Sequence, residues 1–226
     1  MANLDIEAFT RTKVEPMVHG LFPAIEQPPV LDMLARSVVF LTPMTIEPGL
    51  NRQAFLRTAW ILANIYLASC GASPMAADGP QPFGLSDATS CYVATDYFTP
   101  PHRLDDFLVH EAAHVFHNCK RVTVGLPETR RREWLLDIAF GKRETFAYAC
   151  ETYSRIVELG GSPAARRELL AEAGAGPLPA DDSVDGDEYL DILREAVAAR
   201  SGWKHILVRC APVASRRLRM STTSTR

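Results

Sequence analysis

The stretch DDFLVHEAAHVFHNCKR, Asp105 to Arg121, sets two imidazoles and a carboxylate in the pattern H-E-x-x-H: His110, Glu111 and His114. On a helix, residues four apart stand one turn apart on the same face. The rings of His110 and His114 can therefore aim a nitrogen each at one point, at the roughly 2.0–2.1 Å that zinc requires. Glu111 is offset from that line by one residue, which frees its carboxylate to act as a base instead of a ligand. Zinc brings the pKa of a water at its open position to about 7, within reach of such a base. Around the motif Leu108, Ala112, Ala113, Val115 and Phe116 make an apolar background, on which two imidazoles are costly to bury without a partner. The plainer reading is a core helix whose histidines are satisfied by ordinary hydrogen bonds.

His117 extends the run to H-E-x-x-H-x-x-H. A fourth ligand there would close the site to water, so the preferred reading is a histidine that supports the ligand rings from behind or faces solvent.

A catalytic zinc site needs a third protein ligand and one open position. HEAAH followed by a glutamate on a downstream helix resembles the zincin metallopeptidases, of the gluzincin kind. The metzincin pattern H-E-x-x-H-x-x-G-x-x-H is excluded, because His117 and Lys120 stand where it needs glycine and histidine. The resemblance spans about Thr89 to Leu159. It implies Zn2+, hydrolysis of a peptide or protein substrate, Glu111 as general base and a glutamate as third ligand. Glu144 is the first candidate, since ETFAYACE resembles the E-x-x-A pattern of compact gluzincins, with Ala147 letting the two metal helices approach. Glu133, in the E-x-x-x-D of EWLLD, is its rival. Glu151 is a third choice, for which an ion pair with Arg155 is the ordinary alternative.

Asp137, Glu151 and Asp96 are candidates for the carboxylate that orients a ligand imidazole. Tyr148 and Tyr153 are candidates for oxyanion stabilisation, although aromatics at helical spacing also build cores. Cys119 and Cys150 are soft donors near the metal helices but read better as buried thiols. CYVATDYF, ahead of the motif, occupies the place of the zincin edge strand that pairs with extended substrate, or is an ordinary sheet strand.

These residues need elements to hold them. Periodicity and stop signals predict helices over Leu4–Met17, from Asn51 to Gly71, and over Leu104–Asn118. Further helices are expected in RRREWLLDIAF, in KRETFAYACETYSRIVEL, over Ala164–Ala173, and as one more in SVDGDEYLDILREAVAARSGW. Strands are expected in RSVVFLTP and TSCYVATDYF, and a surface loop over Ala72–Asp87. The fold class that follows is α+β and mostly helical, with a small sheet. Residues 1–160 form the metal-binding domain, 161–210 a helical extension packed on it, and 211–226 a disordered tail.

Composition narrows the partners. The 226 residues carry 24 basic and 27 acidic side chains, a net charge of −3, which gives no field suited to nucleic acid or an anionic membrane. Arg130–Arg132 and the arginines of the tail read as solvated surface. Five cysteines without close pairs indicate free thiols, and the longest apolar stretch, Ala59 to Cys70, is too short to span a bilayer. No secretory signal is read at the start, so the expected compartment is cytoplasmic. Function is expected to be that of a zinc metallopeptidase. The competing class is a non-catalytic regulator on a zincin scaffold with a structural metal, and a weaker third is a hydrolase of small amides or esters.

Overall fold

A computed structural model describes residues 4–75, 84–129 and 132–213. Along the chain run α1 (Ile6–Leu21), α2 (Gln27–Ala35), β1 (Val38–Phe40), α3 (Ile46–Asn51), α4 (Leu56–Ser69), β2 (Gly84–Asp87) and β3 (Ser90–Val93). They are followed by α5 (Phe107–Asn118), α6 (Arg143–Leu159), α7 (Pro163–Ala175), α8 (Gly186–Ala198) and α9 (Gly202–Cys210). The class is α+β and mostly helical, as expected. Among the described residues, no helix is long and apolar enough to cross a membrane.

The sheet has the order β1-β3-β2, with β1 parallel and β2 antiparallel to β3. Pairing sets Val38 beside Cys91 and Phe40 beside Val93 on one side, and Gly84 beside Val93 and Asp87 beside Ser90 on the other. The β2–β3 turn places Ala88 at φ 50°, a left-handed value unusual for a residue with a Cβ. β3 is therefore the central strand, with β1 and β2 the two outer ones. This corrects the expectation that CYVATDYF lines a cleft as an edge: both of its sides are occupied, and it turns into a 3₁₀ segment at Thr95–Phe98.

α5 lies at the centre of the molecule. Leu108, Val109, Ala112, Ala113, Val115 and Phe116 have no exposed surface, and each large one contributes about 1.5–3 kcal/mol of burial. Its first turn is capped by Asp106, whose side chain accepts from Val109 N–H at 3.3 Å. α6 packs alongside, and the fully buried Ala112, Ala113 and Ala147 keep the two helices close. On the other side lie β2 and β3, with α1 across one end. α8 and α9 enter the same apolar core: Ile192, Leu193, Trp203 and Ile206 are buried with Val14 and Met17 of α1 and Phe146 of α6.

Five expectations are corrected. α1 runs on past Pro16 to Leu21, because its buried face (Val14, Met17, Val18, Leu21) continues through the proline. Asn51 ends α3 instead of capping a long helix, which starts at Leu56 and stops before Gly71 at φ 70°. Of the expected helix RRREWLLDIAF, the described residues 132–139 are not helical, and Phe140 opens a short 3₁₀ turn. Leu135 N–H donates to Cys119 O (3.0 Å) and Leu136 N–H to Phe116 O (2.8 Å), so this irregular segment closes the end of α5. The segment expected as one last helix is two, broken at Ala199–Ser201. The loop expected over Ala72–Asp87 ends instead in β2, because Gly84–Asp87 pairs with β3, and residues 76–83 of it lie outside the described residues, as do 130–131 and, of the tail expected over 211–226, residues 214–226.

Candidate metal centre

α5 and α6 bring His110, His114 and Glu144 together as a group able to hold a metal ion. His110 Nε2 lies 3.1 Å from His114 Nε2. Glu144 Oε2 lies 3.4 Å from the His114 nitrogen and 3.7 Å from that of His110. A tetrahedral ion with bonds of about 2.0–2.1 Å holds its ligand atoms about 3.3–3.4 Å apart. The three separations straddle that value, and a point about 2.0 Å from all three atoms exists within the triangle they define. Two imidazole lone pairs at 3.1 Å repel unless a proton or a cation stands between them. The residues therefore fit a small divalent cation.

What surrounds the triangle sets its electrostatics. Behind His110, Glu151 Oε2 accepts from Nδ1 at 2.9 Å, while Oε1 accepts from the backbone N–H of Asp106 at 2.8 Å. One buried carboxylate thus orients the ring and ties α6 to the capped start of α5. Burial opposes a charge on His110, but Glu144, Glu151 and Glu111 outweigh it and push its pKa up to about 10. Burial likewise works against ionisation of Glu144, yet its contacts with His110 and His114 hold its carboxyl well below the usual range. Behind His114, Nδ1 meets His117 Nε2 at 3.0 Å, and His117 Nδ1 meets Asn118 Oδ1 at 3.1 Å. Burial, then the electrostatic influence of its neighbours His114 and Arg143, brings the pKa of His117 down to about 3, so that ring is neutral.

Glu111 is buried beside the triangle and is not one of its corners. Burial raises its pKa, partly countered by His114 and His110. Its carboxylate lies under β2: a Cβ at Gly84 would fall 2.6 Å from Glu111 Cγ and Oε1, and the Ser86 side chain favours its ionised form. Only a glycine lets the outer strand approach so closely. The His114 and His110 side chains are 10% and 12% exposed and that of Glu144 is 34% exposed, so the group meets solvent mainly on the Glu144 side.

The remaining candidates are distributed plainly. Glu133 lies outside the group, in an exposed ion pair with Lys120 at 2.7 Å. Glu151, instead of joining the corners, takes the ring-supporting place for which Asp137 and Asp96 are the other candidates in the sequence. His117 stands behind His114, since the ring nitrogen it meets is the one turned away from Glu144. Tyr148 packs edge-on against His110, centroids 4.5 Å apart, whereas Tyr153 is buried against Trp203 at 4.8 Å. Cys119 and Cys150 are buried free thiols.

Sequence reasoning passed over Gly84, Ser86, Asp106 and Asn118. Asp106 had a readable signal, an acidic cap at the head of an apolar helix. The GLSD–AT–SCYV hairpin had a weak one, because its turn lacks the usual Asn-Gly or Asp-Gly pair. No protein-family model, curated protein or solved structure matches the chain.

Proposed function

We propose that this protein is a zinc-dependent hydrolase of the zincin, gluzincin-like kind, acting on peptide bonds in the cytoplasm. The reading is carried by one observation: three ligand atoms at tetrahedral spacing, with a buried fourth group, Glu111, beside them and outside the coordinating set. His110, His114 and Glu144 would hold the ion. Bound there, zinc supplies a Lewis acid that polarises a carbonyl and acidifies a water.

The chain's own groups do the rest. Glu111, shielded under β2 with its pKa raised, takes the proton as water oxygen adds to the carbonyl carbon. It then returns that proton to the amine nitrogen as the C–N bond breaks. Tyr148, kept protonated by burial and by nearby carboxylates, offers a phenolic donor beside His110 for the oxyanion. The outer strand β2, lying over Glu111, is suited to pair with the extended backbone of a substrate. The closed, structural alternative would need His117 as a fourth corner, and its Nε2 is engaged with His114 Nδ1 instead.

The test is metal content and cleavage of a peptide library by the purified wild type and Glu111→Gln. Stoichiometric zinc in both, with cleavage reduced about 10²–10⁴-fold in the variant, supports the reading. A wild type without zinc, or a variant as active as the wild type, overturns it.

A further inference from the structure

We propose that His117 is a positioning residue for His114: a proton chain starting at Asn118 fixes His114 in the tautomer that presents a bare Nε2 to the metal position. This rests on the metal site proposed above and adds the device that prepares one of its ligands.

The argument is a count of protons. Asn118 Oδ1 is a carbonyl oxygen and can only accept, so the hydrogen in its 3.1 Å contact belongs to His117 Nδ1. A neutral imidazole carries one N–H, which leaves His117 Nε2 with a lone pair. That nitrogen stands 3.0 Å from His114 Nδ1, so the hydrogen in this contact must come from His114. A neutral His114, its one N–H committed to that contact, then keeps Nε2 bare, facing His110 Nε2 at 3.1 Å and Glu144 Oε2 at 3.4 Å. Reversing the chain would drive the His114 proton onto Nε2, into the triangle, where a cation could bind only after expelling it.

Helix geometry makes the device cheap to build. His117 follows His114 by three residues, the spacing that brings neighbouring side chains into contact on one helical face. His117 and His114 are buried, so solvent does not compete for the bond. The two ligand rings are held differently: His110 by an anionic carboxylate, His114 by a neutral imidazole. A carboxylate raises ligand basicity more than a neutral acceptor does, so His110 would be the more basic of the two rings towards a cation.

The experiment uses the full chain as wild type, His117→Phe and His117→Gln. Zinc affinity is measured by competition with a chelator, and imidazole tautomers by long-range ¹H–¹⁵N NMR with and without zinc. The expected result is a proton on Nδ1 of His117 and His114 in the wild type in both states. Phe, which has no acceptor, should weaken zinc about 10–100-fold. Gln, whose Oε1 can accept from His114 Nδ1, should stay close to the wild type. Wild-type affinity in His117→Phe, equal losses in the two variants, or a His117 proton on Nε2 would each overturn the proposal. If the wild type holds no zinc, the metal reading fails on its own, while the zinc-free tautomers still decide the direction of the chain.

Discussion

Two clusters of buried charge can be set side by side. In one, Arg121, 1% exposed, grips Glu26 with Nη1 at 3.2 Å and Nη2 at 2.7 Å, and donates from Nε to Pro127 O at 2.9 Å. Arg132 adds a second guanidinium at 3.2 Å. In the other, three carboxylates (Glu111, Glu144, Glu151) crowd around the rings of His110 and His114. The first cluster answers its own charge and pins the segment after α5 to the start of α2. The second forces His110 to take a proton even though burial opposes it. A cation would answer that charge without the proton. The comparison teaches where to look for function: closed charge holds a fold together, and open charge of one sign waits for a partner.

The largest effect should come from opening the closed cluster. Arg121→Met leaves Glu26 buried with only the half-exposed Arg132, and removing one partner of a buried pair costs about 3–5 kcal/mol. Urea unfolding should show that loss, while zinc affinity, where the protein still folds, stays at the wild-type value. A variant as stable as the wild type would break the comparison. The counterpart is Glu144→Gln. It should weaken zinc by more than the roughly 100-fold that loss of a supporting residue can cost. Stability without metal should shift by less than about 1 kcal/mol, because Glu144 is one-third exposed. Unchanged zinc affinity in a chelator titration would remove Glu144 from the site.

Binding to the folded state alone gives a smaller and more general signature. At a free zinc concentration one hundred times its Kd, the wild type should gain about 2.7 kcal/mol. Thermal unfolding with and without zinc measures it. Arg121→Met should gain as much as the wild type and Glu144→Gln far less at the same zinc concentration. An equal gain in Glu144→Gln would mean that zinc binds elsewhere.

The same contrast explains what the sequence made legible. HEAAH and ETFAYACE sit on helices whose apolar period is strong, so the faces of His110, His114, Glu144, Tyr148 and Glu151 followed from a spacing of three and four. The partners across the fold did not. Glu26 and Arg121 are 95 residues apart and meet through tertiary packing. The segment Leu135–Ile138 reads as helix by composition, yet its backbone is taken by open carbonyls at the end of α5, a demand that exists only once α5 is in place. Gly84 has no periodic signal at all; its role appears only when Glu111 stands beneath it. Spacing alone likewise leaves Glu144 and Glu133 as rivals, and only the fold sets Glu133 at the surface beside Lys120.

The smallest expected effect concerns acid. Burial works to raise the pKa of Glu26, but the hydrogen bonds and charge of Arg121 and Arg132 outweigh it, so the folded value lies below the ordinary one. Above the unfolded pKa, about 4.3, the carboxyl is ionised in the folded and unfolded chain alike, and the whole stabilisation is present. As pH falls, the unfolded chain takes up the proton first, and the advantage shrinks until the folded carboxyl is protonated too. Glu26→Gln has no such proton to gain. It should be less stable than the wild type at pH 7, with a gap that narrows between about pH 5 and pH 3. Urea unfolding of the two proteins across that range measures the gap. A constant gap would mean that the cluster holds by shape and hydrogen bonding rather than by charge, and a widening one would mean that burial outweighs the two guanidiniums. Glu111 is the control of opposite sign, for its pKa is raised by burial without an arginine to offset it. Glu111→Gln, free of zinc at pH 7, should therefore be at least as stable as the wild type, the mark of a carboxylate kept for chemistry at some expense to the fold.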